Sequence, residues 1–178
     1  MPTKSRQSSE PQVFRSALDT PVGTIQLAVG ADGTLTEVCL PNRTRSDVTQ
    51  GAFSRQARAG MREVRAQLAE YFAGKRRRFD LRLSPRGSAF ERAVWERLLA
   101  IPYGGTTSYG AIADKLGLTN GARAVGRANG ANPIPIVIPC HRVIGTDGTL
   151  TGYGGGLPLK RALLELEGAI GPQPPRLF

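Results

Sequence analysis

The sequence predicts an α+β protein: a small N-terminal sheet-and-helix domain, then a mainly helical C-terminal domain with a helix-turn-helix of the winged kind. Three observations carry this expectation. The first forty residues hold three short runs rich in β-branched and apolar side chains, separated by turn residues. Beyond residue 52 the apolar positions recur every three to four residues, the period of a helix face. The 178 residues, 40% hydrophobic and 21% charged, have the composition of a globular chain long enough to bury a core without disulfides.

The strands are expected at residues 13–18, 24–29 and 34–40, separated by Pro21-Val22-Gly23 and by the hairpin signal Ala31-Asp32-Gly33. Residues 41–51 are polar and read as loop. Met61, Val64, Leu68, Tyr71 and Phe72 lie at helical spacing within a helix over 52–72, which Gly74 closes. The basic run Lys75-Arg76-Arg77-Arg78 follows, either a solvated helix exit suited to the negative end of the dipole or a phosphate contact. Ser84-Pro85-Arg86-Gly87 marks the boundary between residues 1–84 (with 1–10 a frayed end) and residues 85–170, before a tail over 171–178.

In the second part Phe90, Val94, Trp95, Leu98 and Leu99 form one apolar stripe. Ser108 is placed to cap a short helix running to about Leu116. A second short helix spans 122–131 and stops at Asn132-Pro133. Two short helices with a glycine-containing connection have the form of a helix-turn-helix. The second helix is thin: Ala122, Ala124, Val125, Gly126 and Ala128 carry little bulk, which suits close approach by a neighbouring helix or by the groove wall of DNA.

Charge and thiols narrow the function. Lys and Arg number 24 against 14 Asp and Glu, leaving +10 at pH 7. Such a field attracts polyanions, nucleic acid first among them, although a soluble protein with an arginine-rich surface carries the same charge. Residues 1–84 hold 14 basic and 8 acidic groups and residues 85–178 hold 10 and 6, so neither half is a detached basic tail. Cys39 and Cys140 are the only cysteines and His141 the only histidine, too few for a disulfide framework or a paired-cysteine zinc site. No apolar run is long enough to span a membrane, and residues 1–10 lack the apolar stretch of a secretory signal. A reducing, cytoplasmic location is expected.

The stretch Ile134-Pro135-Ile136-Val137-Ile138-Pro139-Cys140-His141-Arg142-Val143 carries the chemistry. Residues 136–138 read as a buried strand that Pro139 stops, delivering a thiol beside a base and an arginine, an arrangement fit for a nucleophile. Successive strand residues point to opposite faces. Cys140 and His141 can therefore cooperate only if the chain turns sharply there or a water relays the proton.

Pro139-Cys140-His141-Arg142-Val143, preceded by Asn132-Pro133-Ile134-Pro135, resembles the active-site signature of the O6-alkylguanine-DNA alkyltransferases. The likeness extends to Phe90, Val94-Trp95, Ile101-Pro102, Ser108-Tyr109-Gly110, Ala122-Arg123-Ala124-Val125-Gly126 and Tyr153-x-Gly155-Gly156-Leu157, about residues 88–168 in all. It implies repair of double-stranded DNA by irreversible transfer of the alkyl group from O6-alkylguanine, and from O4-alkylthymine, to Cys140. The helix-turn-helix would enter the minor groove through Ala122, Arg123, Ala124, Gly126, Arg127 and Asn129, with Arg123 filling the space of the flipped base. His141 would take the thiol proton through a water, Glu167 would orient the imidazole, Asn132 would hold the turn, and Tyr109 would donate a proton to the departing base. Cys140, Val143, Tyr153, Gly154 and Gly155 would line the guanine edge.

The resemblance implies no cofactor, metal or obligate protein partner, and allows molecules to associate along the duplex. Gly154 lacks the hydroxyl that relatives often carry there, Asn129 stands at an often apolar position, and neither the zinc ligands nor the phosphotriester-repair domain of some relatives has a counterpart. A thioether on Cys140 does not leave under mild conditions, so each molecule should act once. Three rivals remain at this point. A helix-turn-helix regulator leaves the cysteine motif idle, a damage-sensing alkyltransferase-like protein lacks the nucleophile, and a cysteine hydrolase would turn over.

Overall fold

A computed structural model describes residues 13–43 and 53–172. Strands β1 (Val13–Leu18), β2 (Ile25–Gly30) and β3 (Leu35–Cys39) form one antiparallel sheet in that order. β1 pairs with β2 from Val13–Gly30 to Leu18–Ile25, and a register shift between Ala28 and Val29 offsets β3. Phe14, Ile25, Leu27, Val29, Leu35 and Val38 are buried. The strands lie within a residue of where the sequence put them.

Helix α1 (Arg55–Phe72) covers the sheet. Ser54 caps it by accepting the Ala57 amide at 3.0 Å, satisfying one of the otherwise unpaired first-turn N–H groups. Its buried residues Ala57, Met61, Val64, Leu68 and Tyr71 step by three or four, forming one stripe. The approach is close: a Cβ on Gly60 would stand 2.1 Å from the Gly33 carbonyl oxygen, so glycine lets the helix rest on the β2–β3 turn. Residue 52, where the helix was expected to begin, lies outside the described residues, as do 1–10, most of the 41–51 loop and most of the tail.

Beyond residue 84 the architecture is helical. Helix α2 (Ala89–Leu99) begins with a capping box between Ser88 and Glu91. Val94, Trp95 and Leu98 are buried, but Phe90 and Leu99 are 37% and 49% exposed, a correction to the five-residue stripe. At 100° per residue Phe90 and Leu99 stand on opposite sides of the helix, flanking the face that Leu98 and Val94 centre. Strand β4 (Thr107–Ser108) leads into α3 (Tyr109–Lys115), whose Ser108 cap accepts the Ala111 amide at 3.1 Å. Then come α4 (Ala122–Gly130), β5 (Val143–Ile144), which pairs parallel with β4, and α5 (Leu157–Leu166).

Hydrogen bonds tie β3 to the segment that leads into α2 and, at Pro133, to the helical layer. The Leu35 amide donates to Arg82 O and the Ser84 amide to Leu35 O, each at 2.9 Å, and the Val38 amide donates to Pro133 O at 2.8 Å. The buried apolar residues form one cluster from Phe14 through Trp95 to Leu163. Among the described residues no helix is long and apolar enough to cross a membrane.

Candidate active site

Residues 136–138 do not form the expected strand. Pro135 and Pro139 bracket them without amide donors, and the segment folds back on itself, with Ile138 N donating to Ile134 O at 2.9 Å. Ile136 takes φ +75°, in the left-handed region that costs a β-branched residue strain, and it is fully buried. Asn132 clamps this reversal from inside. Its Nδ2 donates to Ile138 O at 2.8 Å, and its Oδ1 accepts the Ile134 amide at 3.0 Å. Cys140 therefore opens a 3₁₀ turn over Cys140–Arg142 rather than ending a strand, which rotates thiol, imidazole and guanidinium away from strict alternation.

Behind the thiol lies a buried polar cluster centred on Glu167, just past α5. Its Oε1 accepts from Tyr71 OH at 2.7 Å, faces His141 Nε2 at 2.8 Å and accepts from an Arg142 terminal nitrogen at 3.0 Å. Its Oε2 accepts from Arg142 Nε at 2.8 Å. Arg142 also donates to Ile101 O at 2.6 Å, and its guanidinium carbon lies 5.9 Å from the Tyr103 ring centroid. Burial opposes the Glu167 charge, but the bonds from His141 and Arg142 outweigh it and bring its pKa down to about 2. Burial, with Arg142 and Lys160 nearby, holds His141 below its ordinary value despite Glu167. The imidazole is thus neutral at pH 7. With Glu167 a carboxylate, Nε2 bears the proton, and the lone pair sits on Nδ1, which is buried without a protein partner.

Burial also pushes the Cys140 thiol up to about 11, against smaller opposing effects of Asn132, backbone amides and Lys160. The thiol is 4% exposed, so it waits protonated. Lys160 is fully buried. Its Nζ donates to Val143 O at 2.5 Å and Thr151 O at 2.7 Å, and burial lowers it to about 8.

Cys140 borders a cavity of about 810 Å³ whose walls include Tyr109, Arg123, Gly126, Asn129, Tyr153 and Gly154. Tyr109, half-buried, points its hydroxyl at the Thr151 and Gly152 carbonyls, each 3.4 Å away, and burial raises its pKa, keeping it a proton carrier at neutral pH. The buried Tyr153 hydroxyl lies near Cys140, and its pKa is raised by burial first and that thiol second. Ala122 and Arg123 are exposed at the cavity mouth, whereas Arg127 is exposed and Ala124 half-buried outside the lining. Asn129, grouped from sequence with the groove-facing residues, is instead 4% exposed and faces inward, its Nδ2 3.4 Å from Cys140 O. Val143 and Gly155 do not line the cavity either. The 3₁₀ turn carries Val143 past it, and Gly155 packs so tightly that an added Cβ would meet Leu159 at 2.5 Å and Leu40 at 2.8 Å.

Sequence reading missed Arg142 as a partner of Glu167, although the residue stood in the quoted motif. It assigned Tyr71 only to the apolar stripe of α1 and passed over Lys160, which no local signal sets apart from a surface lysine. Cys39 ends β3 with its thiol donating to Glu37 at 3.3 Å, and it borders the same cavity. Among the described residues no cluster of three His, Cys, Asp or Glu side chains could hold a metal ion.

A short helix pair above a cavity bordered by the buried Cys140 thiol, which a neutral histidine and a carboxylate back, defines a cysteine-dependent group-transfer protein of the helix-turn-helix kind. Residues 89–169 match the family model of the 6-O-methylguanine DNA methyltransferase DNA-binding domain. The methylated-DNA–protein-cysteine methyltransferase of Mycobacterium tuberculosis is 48% identical over 167 residues, covering 90% of this chain and 96% of the relative. Its counterpart in Methanosarcina acetivorans is 41% identical over 157 residues, covering 88% and 99%. The crystal structure of Mycobacterium tuberculosis OGT in complex with DNA has a TM-score of 0.77 at 46% identity, covering 88% of this chain and 93% of that one. The chain belongs to the family of methylated-DNA–protein-cysteine methyltransferases.

Proposed function

We propose that this protein repairs double-stranded DNA in the cytoplasm by moving the alkyl group of O6-alkylguanine, or O4-alkylthymine, onto Cys140, once per molecule. The observation that carries this reading is the buried Cys140 thiol on a cavity of about 810 Å³, ample for an extruded base, with the His141–Glu167 pair directly behind it. A target atom inside a duplex is out of reach, so the base must be extruded into the cavity. Arg123, exposed at the mouth, takes the vacated place in the stack, and Ala122, Ala124, Gly126 and Arg127 let the helix lie close in the groove.

The chemistry is an in-line displacement. The Cys140 Sγ–carbon bond forms as the carbon–O6 bond breaks. The thiol proton passes to His141 Nδ1 through a bridging water, and Glu167 stabilises the resulting imidazolium. Tyr109 gives its proton to the departing base and is restored from solvent, so no anionic guanine accumulates in a poorly solvated pocket. Asn132 keeps the turn in the reactive geometry. Tyr153, Gly154 and the Cys140 carbonyl form the wall against the base.

Intact mass before and after exposure to an O6-methylguanine duplex tests the reading. A gain of one methyl group on the Cys140 peptide is expected, with no second equivalent consumed. Cys140→Ser should abolish transfer and keep DNA binding, and Cys39→Ser should transfer normally. Methylation of the Cys39 peptide, or continued turnover, would overturn the assignment.

A further inference from the structure

The relay has one member that does not come from the helical part of the chain. Tyr71 sits on the last turn of α1, in the layer that covers the sheet, yet its hydroxyl donates to Glu167 Oε1 at 2.7 Å. That is the oxygen that faces His141 Nε2 at 2.8 Å. The tyrosine is fully buried, and its ring is fixed edge-on to Phe72 and Tyr103 at 5.2 and 6.2 Å between centroids. A purely apolar role needs no hydroxyl there; phenylalanine would fill the stripe and spare the cost of burying an oxygen.

We propose that Tyr71 is a positioning residue of the alkyl-transfer reaction: its hydroxyl holds the Glu167 oxygen that orients His141, so the sheet layer governs the relay in the helical layer. This rests on the proposed function for the identity of the reaction but not for the geometry. Tyr71 and His141 share one oxygen, which an Arg142 terminal nitrogen also reaches at 3.0 Å. Each takes part of the negative charge that would otherwise act on the other, so Tyr71 limits how strongly Glu167 favours imidazolium over imidazole. The other charged or titratable groups around the pair are Arg142 on the same carboxylate, Lys160 from α5, the Cys140 thiol, Tyr153 from the following loop and Tyr103, over which Arg77 also lies at 5.6 Å. None but Tyr71 and Arg142 is bonded to Glu167 side chain to side chain besides His141 itself.

Tyr71→Phe keeps the ring and removes the donor. Two reactions should be followed across pH 5–9: single-turnover transfer from an O6-methylguanine duplex, and alkylation of the Cys140 thiol by iodoacetamide, which needs no DNA. In the variant, transfer should fall roughly tenfold, the scale of one lost hydrogen bond to a charged group. The acid limb of both profiles should move to higher pH, because His141, with Tyr71 no longer drawing on that Glu167 oxygen, holds its proton more tightly and is less available as a base. Tyr71→Leu, which removes ring and hydroxyl, should show the same displaced limb on top of lower thermal stability. Rates and limbs equal to wild type in Tyr71→Phe, whether or not its melting temperature falls, would reduce Tyr71 to a core residue and overturn the proposal. If wild type transfers no alkyl group at all, the iodoacetamide profile still decides the role of Tyr71 while the proposed function fails.

Discussion

The two walls of the cavity are built on opposite principles. Behind Cys140, charged and polar side chains are buried, and Glu167 alone receives hydrogen bonds from Tyr71, Arg142 and His141. Across the mouth, α4 offers Ala122, Arg123 and Gly126, side chains with little bulk or, for Arg123, a long reach and exposure. On the first wall, removing one partner strands another charge away from water. On the second, removing a side chain leaves the fold as it was and changes only what can dock. Under the proposed function, stability and reactivity are assigned to one wall and recognition to the other.

The contrast is broken most severely at Arg142. Truncating one member of a buried ion pair leaves the other uncompensated, a loss of about 3–5 kcal/mol. Arg142→Met should lower stability by that order, measured by denaturant unfolding at pH 7. The pH dependence follows with a definite sign. Glu167 has a folded pKa of about 2, below its ordinary 4.5, so its contribution is complete above that ordinary value and disappears as pH falls toward 2. His141 is also held below its ordinary 6.5, so the unfolded chain binds a proton first and acid destabilises through this group too. Wild-type melting temperature should thus decline from about pH 6 downward. In Arg142→Met the Glu167 portion of that decline should start at the same pH but be smaller and end at higher pH, since the onset is set by the unfolded carboxyl and the cation that depresses the folded one is gone. A variant within 1 kcal/mol of wild type would mean that the cluster is not a stability element.

Arg123 is the matching test on the recognition wall. Arg123→Ala should leave unfolding within about 0.5 kcal/mol of wild type, as exposed substitutions do. It should slow repair of duplex DNA by roughly ten- to a hundredfold, the scale of a few kcal/mol for unstacking a base. Reaction with free O6-benzylguanine, which needs no extrusion, should be unaffected. Equal losses with both substrates would move Arg123 from recognition to the transfer step.

The smallest effect concerns Lys75, Arg76, Arg77 and Arg78. Arg76 is engaged with Glu70 at 2.6 Å, and Arg77 lies over Tyr103, so this run is already partly committed within the protein. Duplex binding should lose log affinity with log salt at roughly 0.9 per phosphate contact, and replacing all four by glutamine should change that slope by less than about one unit. A drop of three or more would show that the sheet layer also grips the phosphate backbone.

What the sequence determined by itself was everything that depends on neighbours along the chain. The three strands, the Ser108 cap, the thin α4 and the Pro139-Cys140-His141-Arg142 signature were legible because propensity, capping and motif spacing act within a few residues. What only the tertiary structure decided was which distant groups meet. Tyr71 and Glu167 are 96 positions apart, so nothing local marks either as the other's partner. The same holds for Lys160, whose burial is set by the carbonyls of Val143 and Thr151. The strand expected at residues 136–138 failed for a related reason. An apolar run shows that a segment is buried, but the two flanking prolines and the Asn132 clamp turned it back on itself. Burial is written in composition, whereas the direction a buried chain takes, and the proton it places beside a thiol, are fixed by whatever packs around it.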